Sequence, residues 1–121
     1  MAPEPGTLKA WLEPPFSFLL TDVLAALPDM FLYRVVKSDD VVSIQPTSDS
    51  SRVITAILAV GYGIMSYLLA DNAARTASED EKYLSIGASV ALFLNSIREA
   101  IVTALMGATL PAKHPATKLI R

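Results

Sequence analysis

The sequence predicts an all-α membrane protein, in which a two-span transmembrane helical hairpin follows an interfacial or extended N-terminal arm. Three observations predict this fold class. Of the 121 residues, 52% are hydrophobic and only 18% are charged, whereas soluble domains usually carry about 25% charged residues. Two stretches, Val53–Ala70 and Leu84–Leu110, are apolar enough to form membrane helices. A chain this short has little interior in which to bury both of them, because its surface is large relative to its volume.

Composition also excludes several classes of function. The net charge of −2 argues against nucleic-acid binding, which needs clustered cations to neutralise phosphates. Without cysteine there is no disulfide, thiolate metal site or cysteine nucleophile. The one histidine, His114, lies in the tail, so a histidine-based triad or metal site is not expected. We therefore expect no enzyme activity, no catalytic residue, no cofactor, no metal and no small-molecule substrate.

Residues 1–52 are expected to form the arm, lying at the interface or on a partner. Four prolines (Pro3, Pro5, Pro14, Pro15) favour an extended start. Trp11 suits an interfacial anchor, because an indole prefers the boundary between lipid and water. The alternative is that Trp11 packs on a protein neighbour. The first residues do not resemble an export signal, so insertion is expected to rely on internal segments.

The second half of the arm, residues 16–44, combines a helix and a less regular segment. Leucines recur at helical spacing up to Leu27, and Pro28 is expected to end the helix. The following β-branched runs on either side of residues 37–40 predict a small hairpin, with a further helical turn to Val36 as the alternative. Because this region is too short and carries the charges of Asp22, Asp29 and Arg34, it is not expected to span a membrane and should be interfacial or partner-bound.

The transmembrane hairpin is expected to occupy residues 53–121. Its first span, Val53–Ala70, has 18 uncharged residues and covers roughly 27 Å as a helix, which matches the hydrocarbon thickness. A buried helix of a soluble protein is the alternative. Small residues recur every fourth position at Thr55, Ala59 and Gly63. This stripe predicts close packing against another helix, in the same chain or in a partner.

The second span, Leu84–Leu110, carries polar groups on one face. At about 100° per residue, the small and polar residues fall within one third of the helix circumference. These residues are Gly87, Ala91, Asn95, Arg98 and Glu99. Charges carried into a membrane cost about 2.5–3.5 kcal/mol each, so they should face protein or water. Arg98 and Glu99 are expected to pair with each other or with a larger subunit. The alternatives are a proton or ion pathway, or a solvated face of a helix outside the membrane.

The expected orientation follows from the positive residues near the spans. Six Lys or Arg flank the hairpin on the side of its two ends, against two in the connecting loop. The positive-inside rule then places both termini on the cytoplasmic or matrix side. The expected location is a bacterial inner membrane or an organellar membrane, mitochondrial or plastid.

The functional expectation is a non-catalytic accessory or assembly subunit of a multisubunit membrane complex. Its partners would be larger membrane protein subunits and the lipid bilayer. By analogy of protein type alone, and not from any motif, we expect an energy-transducing complex: respiratory, photosynthetic or ATP synthase. Two alternatives remain open, a self-associating small pore or transporter and a soluble helical interaction module.

Overall fold

A computed structural model describes residues 14–115 and residue 117. The expected anchor Trp11 lies outside these residues. The chain is mostly helical, and its helices and strands follow one another in a simple order. They are α1 (Pro14–Ala26), α2 (Asp29–Leu32), β1 (Tyr33–Lys37), β2 (Val41–Pro46), α3 (Ser51–Arg75), α4 (Glu79–Leu105) and β3 (Thr109–Pro111).

Within the part of the chain that the structure describes, three helical stretches rather than two are long and apolar enough to cross a membrane. Besides α3 and α4, the stretch Pro15–Leu32 has 18 residues and a mean hydropathy of 1.4. The expected count of two spans is therefore not confirmed. This stretch was not expected to span because of its length and its charges, Asp22 and Asp29 among them. In the folded chain both aspartates lie on the side of the stretch that faces α4. Their charges therefore need not meet lipid.

Helix α4 packs between α1 and α3. Between α3 and α4 the contact is made by small side chains, which allow the two backbones to approach closely. Ser66 and Ser89 bond reciprocally: the Ser66 hydroxyl donates to the Ser89 carbonyl at 2.7 Å, and the Ser89 hydroxyl donates to the Ser66 carbonyl at 2.8 Å. Farther along, the Ser96 hydroxyl donates to the Ala59 carbonyl at 2.6 Å. These bonds satisfy side-chain donors inside an otherwise apolar contact.

A three-stranded antiparallel sheet, in the order β1-β2-β3, lies at one end of the helices. The hairpin expected after Pro28 forms after one helical turn, α2, with Tyr33 opposite Pro46 and Lys37 opposite Val42. Ile44 of β2 is fully buried and packs with Val102 near the end of α4. The sheet thus covers the end of the bundle where α3 begins and α4 ends.

This sheet corrects two expectations, the all-α class and the extent of the second span. Helix α4 ends at Leu105 rather than at Leu110. Gly107 adopts a positive φ of 84°, and its N–H donates to the Ile44 carbonyl at 2.8 Å. The chain turns at this point, and β3 pairs with β2. Pairing with β2 satisfies backbone groups that a longer helix would have satisfied internally.

Helix α1 runs in the same direction as α4. The Ser17 hydroxyl donates to the Tyr83 carbonyl at 3.4 Å, so α1 starts near the start of α4. Beyond the other end of α1, the strand β1 joins the sheet. Residue 14 and the strand β3 therefore lie at opposite ends of the bundle.

The close contact of α3 with α4 can be tested by adding side chains at two glycines. A Cβ at Gly63 would lie 3.2 Å from the Ser96 Oγ, whereas a Cβ at Gly61 would meet nothing within 4 Å. We expect Gly63→Val to lower the free energy of unfolding by about 1–3 kcal/mol, because overpacking forces neighbours to shift. Gly61→Val carries the same change in helix propensity and should cost much less. The measurement is denaturant-driven unfolding in detergent micelles, and equal losses in the two variants would contradict the packing.

Candidate functional site

The polar face of α4 lies against α1, and a hydrogen-bonded cluster joins the two helices. The buried Asn95 amide donates to the Asp22 Oδ1 at 2.7 Å and to the Ala91 carbonyl at 2.8 Å. The Arg98 guanidinium donates to the Asn95 Oδ1 at 3.1 Å and lies 3.6 Å from the Asp22 Oδ1. Arg98 thus forms an ion pair with a residue of the first helix, and Asn95 bonds to both partners.

The environment of this ion pair is partly buried. The side chain of Arg98 is 20% exposed and that of Asp22 is 30% exposed. Water screens the attraction between these two charges less than it does for a surface ion pair. Removing one partner therefore leaves the other charge in a poorly solvated position. The Asn95 amide adds a charge-assisted hydrogen bond to each partner. The cluster therefore holds α1 on α4 through both polar and ionic contacts.

Two buried carboxyl groups lie beside this cluster, toward the sheet. The Glu99 side chain is fully buried. Its carboxyl group faces that of Asp29, at the start of α2, within hydrogen-bonding reach. The Tyr33 hydroxyl donates to the Asp29 Oδ2 at 3.3 Å. Glu99 lies six residues before the end of α4, or roughly 9 Å along the helix.

Three carboxyl groups of the described residues lie in this region, those of Asp22, Asp29 and Glu99. The Arg98 guanidinium forms an ion pair with Asp22 and donates to Asn95. Nearby, the Arg52 guanidinium donates to the carbonyl of Met106. Two carboxylates in contact disfavour each other's ionised form. An arrangement of this kind is expected to attract a cation or a proton.

A groove of about 430 Å³ opens beside the Asp29 carboxyl, between α1 and β1. Its apolar lining includes Val23, Ala26, Leu27 and Met30, and its polar lining includes Asp29 and Tyr33. Val23 and Met30 are largely exposed, so the groove is reached from the outer surface of the bundle. The structure thus brings an acidic group to an open apolar groove.

The structure distributes the sequence-predicted residues between two contacts. Gly87, Ala91, Asn95 and Glu99 are buried along α4, and Arg98 lies beside them. On α3, Thr55 and Ala59 are buried against α4 and Gly63 lies close to Ser96. The Thr103 hydroxyl donates to the Thr55 hydroxyl at 2.8 Å. Arg98 forms an ion pair with Asp22 of α1, and the group facing Glu99 is Asp29.

Sequence reasoning missed the contribution of α1 and β1. Asp22 and Asp29 were counted only as charges that prevent a span. Their spacing of seven residues, two helical turns, places them on one face of a continuous helical pattern. Read together with the polar face of α4, that spacing predicts a complementary contact. Tyr33 gave no comparable signal, because a tyrosine in a strand is usually explained by packing.

No protein-family model matches the chain, and neither a curated protein nor a solved structure is significantly similar to it. The fold and the site define a class of protein. It is a mostly helical chain whose described residues include three helical stretches that are long and apolar enough to cross a membrane. A polar cluster joins the first and last of these helices.

The Asp22–Arg98 contact can be measured with a double-mutant cycle. We expect Asp22→Asn and Arg98→Met each to lower the free energy of unfolding by about 1–3 kcal/mol, because each leaves a poorly solvated partner. The double variant should lose less than the sum of the two. The control is the same cycle at Asp71 and Arg75, a pair 3.1 Å apart whose side chains are 43% and 78% exposed. That cycle should give little or no coupling. Equal coupling in the two cycles would contradict the cluster.

Proposed function

We propose that the chain is an integral membrane protein whose three long helices all cross the bilayer. The observation that carries this proposal is helix α3, which has a mean hydropathy of 2.0 over its most apolar 18 residues and whose outer face is apolar and exposed. Its exposed side chains follow a helical ridge formed by Val53, Ile57, Val60, Ile64 and Leu68. In water an exposed apolar surface of this kind would promote aggregation, whereas in a bilayer the lipid chains solvate it.

The distribution of positive residues supports one orientation. Arg34, Lys37, Arg52 and Lys113 lie at the sheet end, and Arg75 and Lys82 lie at the opposite end. By the positive-inside rule we propose that the sheet faces the cytoplasm or matrix. With three crossings, residue 14 then lies on the outer side and the tail on the inner side. This proposal replaces the expectation that both termini share one side, which required two spans.

Orientation can be tested directly because the chain contains no cysteine. We expect a membrane-impermeant maleimide, applied to intact cells or organelles, to label Ala77→Cys in the α3–α4 connection. Ser38→Cys, in the β1–β2 turn, should be labelled only after the membrane is permeabilised. A third variant, Pro15→Cys at the exposed start of α1, separates three crossings from two, because it should be labelled together with Ala77→Cys. Labelling of Pro15→Cys together with Ser38→Cys would instead support two crossings.

As a function, we propose a non-catalytic accessory or assembly subunit of a larger membrane complex. The polar face of α4 is occupied by α1 of the same chain, so another surface must meet the partner. The best candidate is a groove of about 530 Å³ along α3 and α4, with Gly63, Ser96 and Ala100 among the residues that line it. The Ser96 hydroxyl already donates to the Ala59 carbonyl. The small residues of this groove would allow another helix to approach closely, and its serine hydroxyl is already hydrogen-bonded within the chain. The groove therefore suits an apolar transmembrane helix of a larger subunit.

Assembly can be tested by native-gel migration of the chain from mildly solubilised membranes, with mass spectrometry of the band. We expect a discrete complex of several chains. Ile64→Trp, which fills the groove, should shift the chain to its free form, because a bulky ring prevents close approach. The control is Met65→Trp, whose side chain points about 100° away around the helix and is similarly exposed, at 50% against 56%. Loss of the complex in both variants, or in neither, would contradict docking at the groove. A wild-type chain that migrates alone would contradict the subunit proposal itself.

A pore or transporter is the second candidate, and the buried Asp29–Glu99 pair is the observation that favours it. Ionisable groups inside a membrane protein often mark a pathway for ions or protons. Purified protein in liposomes should then conduct ions or protons, and Glu99→Gln should abolish the flux while the chain stays folded. A non-catalytic subunit of the proposed kind should give no flux above that of empty liposomes.

A further inference from the structure

We propose that the sheet end of α3 binds one molecule of phosphatidylethanolamine from the cytoplasmic or matrix leaflet. Its phosphate would lie at Arg52, its ammonium group at Asp49, and one acyl chain in a groove along the helix. This inference rests on the transmembrane orientation proposed above and does not depend on a role in assembly. Three features carry it: the groove, the guanidinium group at its end, and the carboxylate that shares a cavity with that guanidinium.

The groove lies on the outer face of α3, in the half of the helix nearer the sheet. It has a volume of about 590 Å³ and, apart from Arg52, an apolar lining. The apolar residues that line it are Val53, Ala56, Ile57, Val60 and Gly61. From Arg52 to Gly61 the helix advances nine residues, or roughly 13 Å. This length is close to one leaflet of a hydrocarbon core about 30 Å thick, so the groove suits an acyl chain of a lipid in that leaflet.

The guanidinium group of Arg52 lies where the groove meets the sheet end of the bundle. Its Nη2 donates to the Met106 carbonyl, and a Cβ at Gly107 would lie 3.8 Å from the same nitrogen. That bond fixes the group at the turn after α4 and uses one of its five N–H donors. Among residues 14–115 and 117, no carboxyl group forms an ion pair with Arg52. Guanidinium and phosphate form paired hydrogen bonds, and basic groups at the membrane surface commonly hold lipid phosphates.

The carboxylate of Asp49 decides which head group fits. Asp49 and Arg52 line a second, smaller cavity of about 230 Å³, between the end of β2 and the turn after α4. Both residues are exposed, and in the part of the chain that the structure describes no ion pair links them. A ligand in this cavity therefore meets one positive and one negative group. The phosphate and the primary ammonium of phosphatidylethanolamine match both, and that ammonium carries three N–H donors for the carboxylate.

A general attraction between basic residues and lipids predicts a different preference. Arg34, Lys37 and Lys113 also lie at the sheet end, and a basic surface by itself favours acidic lipids over zwitterionic ones. A site built from Arg52 and Asp49 favours the zwitterion instead, because Asp49 repels a head group that carries only negative charge. The order of affinities for the two kinds of lipid therefore separates the site from the surface.

The test is native mass spectrometry of the purified full chain in a mild detergent, titrated with phosphatidylethanolamine or phosphatidylglycerol that carry the same acyl chains. We expect one saturable site per chain for phosphatidylethanolamine and at least fivefold weaker binding of phosphatidylglycerol, which offers no positive group to Asp49. Asp49→Asn should abolish this preference. The matched control is Asp39→Asn, which removes the same charge at an exposed position between β1 and β2, outside both cavities, and should retain it.

Two further variants test the phosphate and the acyl-chain contacts. Arg52→Gln should weaken phosphatidylethanolamine binding at least tenfold, whereas Arg34→Gln, which removes the same charge at another exposed position of the sheet end, should not. Because Arg52 also bonds to the Met106 carbonyl, Gly61→Leu supplies an independent variant. A Cβ at Gly61 would meet nothing within 4 Å in the described chain, so the leucine fills the groove without an internal clash. It should weaken both lipids at least fivefold, and thermal unfolding reports whether each variant still folds.

Several outcomes overturn the proposal. Equal binding of the two lipids, or tighter binding of phosphatidylglycerol, would show that the sheet end attracts lipids only through its positive charge. Binding of neither lipid would leave the groove to a protein helix, and a folded Gly61→Leu chain that binds as the wild type does would remove the acyl chain from it. The maleimide labelling pattern tests the three crossings without any lipid. A missing head-group preference in a chain that labels as expected therefore contradicts this proposal alone.

Discussion

The contact between the aspartates of the first helical stretch and the polar face of α4 governs the rest of this structure. A charged group in an apolar setting must be paired, solvated or neutralised, and Arg98 is paired with Asp22 while Asn95 bonds to both. With this contact in place, α1 becomes a third helix of the bundle instead of a loose arm. Its position in turn carries Asp29 to Glu99 and Tyr33 into the sheet. The fold, the groove and the orientation proposed for the chain all depend on it.

The two sides of α4 use different interactions. Toward α3, small residues and hydroxyl groups allow close approach, and the hydroxyls donate to carbonyls of the facing helix or to one another. Such bonds are modest individually, at about 1 kcal/mol, but they do not require charge and they fix the register of the two helices. Toward α1, the contact is ionic, between Arg98 and Asp22, and the buried carboxyl groups of Asp29 and Glu99 lie beside it.

The sequence predicted part of this arrangement well, and the reasons for its failures are physical. Hydropathy located α3 and α4 because their apolar runs are long, and helical spacing assembled Gly87, Ala91, Asn95 and Glu99 into one buried row. The partner of that row could not be read from α4 alone. Asp22 and Asp29 were treated as a cost of insertion, since a hydropathy argument scores each residue without its neighbours in space. The end of α4 was misplaced because Thr109–Pro111 is apolar enough to extend a helix, and only pairing with β2 makes it a strand.

The central claim is that α1 lies on the polar face of α4 within a single chain in the membrane. Solid-state NMR can measure this contact directly in lipid bilayers, with ¹⁵N in asparagine side chains and ¹³C in aspartate carboxyl groups. The chain has two asparagines, and the side-chain amide of the other one, Asn72, donates to Glu81 and Ser85. The account predicts dipolar dephasing that fits an Asn95 amide donating to the Asp22 carboxylate at 2.7 Å, retained when labelled chains are diluted with unlabelled ones. No dephasing would show that α1 lies elsewhere, and dephasing lost on dilution would assign the contact to two different chains.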